Sequence, residues 1–382
     1  MRFKQFVQSC IQSDVRLVHV CNYILFTLFT FLFFYGLQQD VITLTMQNRL
    51  GVRCPGLSVC MPYILTALLL SLKIALNKLL RLKGRHHALS FVPLFALMVF
   101  LTILEPHFSL FKAAILSFVL LLYVPFISRL RGAMHYGDHF QTLLIPNLIV
   151  MLSSFVFVTL MANTSDVLHY ELRLQRHLNN GHVEAALAVA QLEQATSQRL
   201  TALRAYALSH KDELGENLFS YPIPKGCSDL FLHQTDERYM LYPLDSVKAF
   251  VGWLPRQTVT IPELIDRLSL VTDTLRKPPM ADYLLCTLLL KKDLGAFVHW
   301  LPRFYDVGEA ERLGNLPRHY REALILYKAL SLSPAIVFHS NQTETNFRDF
   351  KELARQYPDT RVRRNQLRSV YGDTYWWYYW YH

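Results

Sequence analysis

The chain lacks the short signatures from which chemistry is usually read. It has no phosphate-cradling loop closed by Gly-Lys-Ser/Thr, no Gly-x-Ser-x-Gly elbow, no His-Glu-x-x-His and no Cys-x-x-Cys. Phosphate-loop nucleotide hydrolysis, serine-hydrolase chemistry, zinc proteolysis and dithiol redox catalysis therefore have no support. The period-two alternation of a strand is also nearly absent, which makes the fold class all-α. No acid or base stands in the middle of the long apolar runs except Lys73, and its stem is long enough to reach the inner surface. That scarcity disfavours a transporter.

Long apolar runs are what the chain has instead. The first, at 17–37, carries no charged residue, as a helix needs if it is to cross hydrocarbon with every backbone amide bonded internally. At a few tenths of a kcal/mol per apolar residue, it favours insertion by roughly 4 to 8 kcal/mol, which His19 and Asn22 do not reverse. It is too long for a signal peptide and no small-x-small cleavage site follows it, so it reads as a retained anchor. Four more runs follow at about 57–76, 88–104, 108–127 and 142–161, the third being the shortest.

Orientation follows from the basic residues. With the N-terminus in the cytoplasm, the inner segments hold Arg2, Lys4, Arg16, Lys73, Lys78, Arg81, Lys83, Arg85, Arg129 and Arg131, and the outer loops hold only Arg49, Arg53 and Lys112. Five crossings then put everything after Ala162 on the outer face. The same bias accounts for the net charge of +10. Residues 1–162 hold 13 Lys and Arg against 4 Asp and Glu, whereas residues 163–382 hold 26 against 25. Basicity here is a topology signal, and no nucleic-acid partner is expected.

From Asn163 the hydropathy drops, and residues 163–382 are enough for a core of their own. Helical periodicity runs through Val167, Tyr170, Leu174 and Leu178 up to Gly181, then over 182–194 and 196–210. It returns at 262–276, 281–292, 294–305, 317–329 and 346–356, with 219–242 as a long connection. Small residues such as Ala186 and Ala190 at the crossings predict helical hairpins of the tetratricopeptide kind, without a regular period.

Three segments carry a resemblance to a family. Leu214-Gly215-Glu216-Asn217-Leu218-Phe219-Ser220-Tyr221-Pro222, Leu316-Pro317-Arg318-His319-Tyr320-Arg321-Glu322-Ala323-Leu324 and Tyr371-Gly372-Asp373-Thr374-Tyr375-Trp376-Trp377-Tyr378-Tyr379 resemble a family of bacterial multi-spanning membrane proteins of unknown function. Its members have a tetratricopeptide-like tail and end in a similar aromatic segment. The resemblance covers the C-terminal half well and the membrane half in outline. It implies an address in the bacterial inner membrane and supplies no catalytic residues.

Four constellations are candidates for chemistry. His135, Asp138 and His139 lie before the fifth run, where a helical turn would put both imidazoles on one face for a metal; Gly137 weakens that helix, and polar loop residues are the plainer reading. Cys54 and Cys60 flank a Pro-Gly turn on the oxidising side, which allows a structural disulfide. Asp40 stands just outside the first crossing, a layout similar to that of polyprenyl-phosphate-dependent membrane glycosyltransferases; its ordinary reading is a solvated loop residue. Tyr375, Trp376, Trp377, Tyr378, Tyr379, Trp380 and Tyr381 suit either the membrane boundary or the last groove of a helical domain, and packing is favoured because seven such side chains do not stand exposed to water together.

The sequence thus predicts a scaffold with no cofactor, held in membrane lipid and displaying a helical-hairpin domain to a protein or peptide partner. The alternative is a membrane enzyme or accessory subunit acting on a lipid-linked envelope precursor.

Overall fold

The computed structural model describes residues 2–50, 56–80, 82, 84–102, 110–130, 140–191, 193–255, 260–269 and 279–382. All regular structure among them is helical. The chain divides into two compact units, Met1–Ser165 and Asp166–His382.

The first unit begins with α1 (Arg2–Leu32), which continues through a π-helical turn, Phe33–Leu37, into α2 (Gln39–Leu50) and α3 (Leu57–Leu80). A 3₁₀ segment, Gly84–Phe91, then runs into α4 (Val92–Leu101), followed by α5 (Leu110–Leu130) and α6 (Phe140–Met161). Four stretches are long and apolar enough to cross a bilayer: Ser13–Leu37, Val59–Leu80, Leu110–Arg129 and Phe140–Met161. On α1, Val18, Asn22, Phe26 and Thr30 recur every fourth residue and are buried, while Leu17, Val20, Ile24 and Leu28 on the other faces are more than half exposed. The exposed leucines give this helix an apolar outer face.

The expected third run is the exception. It is shorter than the others, at His86–Leu101, because its first part is wound as 3₁₀ helix and Pro93 opens the α-helical part. Winding it this way lengthens it. Eight residues at a 3₁₀ rise of ~2.0 Å and ten at ~1.5 Å reach about 30 Å.

Contacts along α1 set the directions of its neighbours. Asn22 meets Asn147, Phe29 stacks on Phe155 at 4.0 Å, and Gln38 Nε2 donates to the Asn163 carbonyl at 3.0 Å, so α6 advances with α1. The 3₁₀–α4 segment advances with it too, from His87 beside Asn22 to Met98 beside Thr30. α3 runs the other way, with Tyr63 against Phe31 and Asn77 against Tyr23. α5 likewise opposes α6, Lys112 reaching the Ala162 carbonyl. Lys73 departs from expectation: it is fully buried and bonded inside the bundle, where Asn77 and Ser90 supply acceptors, so its stem does not carry the charge to the surface.

The second unit holds α7 (Asp166–Asn179), α8 (Val183–Ala188), α9 (Gln198–His210) and α10 (Leu214–Asn217). It continues with α11 (Leu244–Val251), α12 (Ile261–Ser269), α13 (Pro279–Leu290), α14 (Leu294–Trp300) and α15 (Val307–Leu313), then α16 (Arg318–Leu330), α17 (Asn341–Gln356), α18 (Thr360–Tyr371) and α19 (Tyr375–Tyr381). The long connection is wound into three 3₁₀ turns, Leu218–Ser220, Gly226–Leu230 and Gln234–Tyr239. Among the described residues, Ser197, Asp293, Asp306, Ser340, Asp359 and Thr374 each cap a helix by accepting a backbone N–H of its first turn. Residues 200–209 of α9 and 280–290 of α13 are buried on every side. These two helices are the centre of the unit, and the rest pack around them.

One close approach orders that packing. Gly215 on α10 lies against Tyr320 of α16, and a Cβ there would stand 2.6 Å from the ring. The ring cannot retreat, being fully buried with its hydroxyl donating to Asp282 Oδ1 at 3.0 Å. Gly215→Ala is expected to cost about 1–3 kcal/mol, read as a lower midpoint of urea unfolding at unchanged slope.

Candidate functional site

In the second unit a groove of about 620 Å³ runs between two parts of the chain far apart in sequence. One wall comes from Gln191 to Pro224 and the other from Arg364 to His382. The floor is aromatic, and its rings are held by their polar atoms. Trp377 Nε1–H donates to the Arg364 carbonyl at 3.3 Å, and Tyr378 OH donates to the Leu290 carbonyl at 3.0 Å. Burial pushes the Tyr378 phenol up to about 12, so it stays a donor across the ordinary pH range. Tyr378 also packs on Phe219 at 4.9 Å between ring centres.

The position of α19 rests on Glu322 of α16, which is 3 % exposed. One carboxylate oxygen accepts the Tyr375 amide at 2.7 Å and the His319 ring at 3.0 Å. The other accepts Arg318 Nε at 2.9 Å, and the Glu322 carbonyl accepts Trp376 Nε1–H at 2.8 Å. Phe219 N–H donates to His319 Nε2 at 3.3 Å, so Nδ1 carries the ring hydrogen and donates to Glu322. One buried carboxylate thereby ties α16, α19 and the Leu218–Ser220 turn together.

Charge lines the wall formed by 364–382. Arg364 and Arg368 stand exposed on α18, Arg368 bonded to the Gln194 amide oxygen. Asp373 is already engaged: burial works against its charge, yet Arg318 at 2.9 Å holds its carboxyl below the usual range. Burial, with Lys292 and Arg364 nearby, lowers the pKa of His382. Glu193, exposed on the facing wall, is the other acidic side chain of the lining among the described residues. The arrangement suits a ligand with an acidic group beside apolar groups.

The other sequence candidates lie elsewhere. His135, Asp138, His139 and Cys54 fall outside the described residues, and Cys60 is exposed on α3. Asp40 occupies the first turn of α2, where it is buried between Gln39 and Val41, and so is no solvated loop residue. Of the aromatic segment, Tyr375, Trp376, Trp377 and Tyr378 are buried, Tyr379 and Tyr381 are half-buried, and Trp380 is 40 % exposed over Phe347 and Phe350. Glu322 was not singled out as a site by its spacing. A carboxylate one turn from an Arg-His pair, in a helix otherwise patterned for burial, was the available signal for Glu322.

Residues 261–382 match the model of a family of unknown function, DUF6057. The matched segment runs from α12 to α19 and so contains Glu322, Arg364, Arg368 and the aromatic segment. The first wall of the groove lies before it. No curated protein and no solved structure matches the chain.

Proposed function

We propose that this chain is a membrane-anchored binding protein whose second unit takes an acidic, partly apolar peptide segment in the groove between 191–224 and 364–382. The observation that carries the proposal is the pairing of Arg364 and Arg368 with the Trp377–Tyr378 floor. Arginine gives a planar donor fork for carboxylates and the rings offer area for apolar side chains. The volume falls within the ~300–1,000 Å³ common for binding clefts.

The membrane part of the proposal has five crossings, with the N-terminus in the cytoplasm and the second unit outside it, at a bacterial inner membrane. Its support is the alternation of direction along α1, α3, the 3₁₀–α4 segment, α5 and α6, with Gln38 and Asn163 bonded at one end. An odd number of passes puts those residues on one side, and the excess of Lys and Arg on the other gives the orientation. The exposed apolar faces of the first unit would meet lipid. The resemblance to multi-spanning proteins with a tetratricopeptide-like tail agrees with this layout and with a scaffolding role.

The experiment is a fluorescence titration of the full chain in nanodiscs with short peptides that place Asp or Glu beside Leu or Phe, read through tryptophan emission, to which Trp377 of the groove contributes. Such peptides should bind more tightly than Lys-substituted counterparts and more weakly as salt rises. Reversing both charges, Arg364→Glu with Arg368→Glu, should cost about tenfold or more in affinity. Equal binding by the reversed protein would refute the groove.

A further inference from the structure

The first unit contains a buried polar cluster that the groove does not explain. Lys73 is fully buried, and its ammonium bonds Asn77 Oδ1 at 2.5 Å and Ser90 Oγ, with the Phe91 ring centre 4.0 Å away. Asn77 donates in turn to Tyr23 OH at 2.5 Å, and the Ser90 hydroxyl donates to the His87 carbonyl at 2.6 Å. Every partner is neutral. No carboxylate bonds Lys73 among the described residues, and an ammonium in such surroundings is costly unless an anion accompanies it.

A second group beside it also points to an anion. The Ala88 amide donates to Asn147 Oδ1 at 2.6 Å, which identifies that atom as the oxygen. The Asn22 atom 3.2 Å from it is then the amide nitrogen, and its second hydrogen points to His87 Nδ1 at 3.2 Å. Nδ1 is thus an acceptor, and the ring hydrogen sits on Nε2. His87 is 1 % exposed, and its Nε2–H has no hydrogen-bond partner among the described residues. His87 and Lys73 share two ring neighbours: the His87 ring lies 5.5 Å from Phe91 and 5.9 Å from Tyr23, and the Lys73 ammonium 4.0 and 5.7 Å from the same rings. A buried cation and an unspent donor therefore sit together, and among the described residues no acid bonds either.

We propose that Lys73 and the Nε2–H of His87 form a binding site for a phosphate group, carried by a lipid or free. The two donors come from different segments, so they call for an anion with more than one oxygen, and phosphate is the anion that a bilayer itself supplies. Lys73 is seven residues from Leu80 at the end of α3, or about 10 Å. The phosphate need enter only the first third of the span.

The test is thermal unfolding of the full chain in a neutral detergent, with phosphatidic acid, inorganic phosphate or phosphatidylcholine added. Phosphatidic acid should raise the melting temperature by about 5 °C near saturation, and phosphatidylcholine should not. An equal rise with inorganic phosphate supports the site and makes the free ion its ligand; no rise with it supports the site and makes the lipid the source. Lys73→Met should abolish the rise while leaving the unliganded protein as stable or more so, because it replaces a buried charge by an apolar side chain of similar length. Lys73→Arg should retain it. His87→Phe keeps an aromatic ring stacked on His19 and edge-on to Phe91, loses the donor, and should weaken phosphatidic acid binding about tenfold; it serves where Lys73→Met does not fold. No stabilisation by either phosphate, or the same stabilisation in Lys73→Met and His87→Phe as in the parent, would overturn the site.

Discussion

Glu322→Ala is expected to lower the melting temperature of residues 163–382 by on the order of 10 °C. The change leaves the Tyr375 amide and the His319 ring without their acceptor in a place that water does not reach, and it frees Arg318 from one of its two carboxylates. Removing one partner from a buried charged network costs about 3–5 kcal/mol, and a domain of this size loses roughly 2–4 °C per kcal/mol. Glu322→Gln keeps an oxygen for Tyr375 and should lose markedly less. Calorimetry on the two variants separates the outcomes. A fall of only a degree or two for alanine would mean that α19 is held by ring packing alone.

Ring packing is itself the source of the second large effect. Trp376 is 1 % exposed, with its centroid 5.0 Å from Phe347 and 6.0 Å from Phe350. Trp376→Ala should therefore cost about 3–5 kcal/mol, against less than about 1 kcal/mol for Trp380→Ala at its exposed position. Deleting residues 375–382 removes four buried rings together, which rivals the whole stability of a typical domain, so the truncated domain should aggregate without lipid present. The Trp376 and Glu322 losses should not add, because the indole hydrogen-bonds the Glu322 carbonyl and the pair acts as one unit. If the truncated domain melted as before and lost only its affinity for liposomes, the segment would belong to the headgroup layer.

What the sequence made legible follows from the range of each signal. Apolar runs of about twenty residues with few charges identify long apolar helices by composition alone, and four of the five appear at that length. The third is an exception of winding: its apolar residues are present, but the Asn147 side chain takes the Ala88 amide, and no local pattern announces that. Helices over 196–210, 281–292 and 317–329 were readable because their boundary residues, Ser197, Pro279 and Pro317, lie within a few residues of the periodic stretch. α17 starts at Asn341, five residues before the periodic stretch, because Ser340 caps it. α18 was missed, since its exposed, arginine-rich face hides the periodicity of its one buried residue, Leu367. The groove was illegible for a different reason. Its walls are more than a hundred residues apart, and spacing carries no information over that distance. Lys73 shows the same limit: the pattern placed it on an apolar helix, and only the neighbouring segments decided that it turns inward.

The claim on which the rest depends is that the chain crosses the membrane five times and delivers its second unit to the outside. A reporter active only outside the cytoplasm, fused in turn after His382, after Met161 and within residues 78–87, tests it most directly. The five-crossing account predicts activity at the first two sites and none at the third. Activity within 78–87 would reverse the orientation, and silence at all three sites would mean that the 3₁₀–α4 segment turns back without crossing and that the groove faces the cytoplasm.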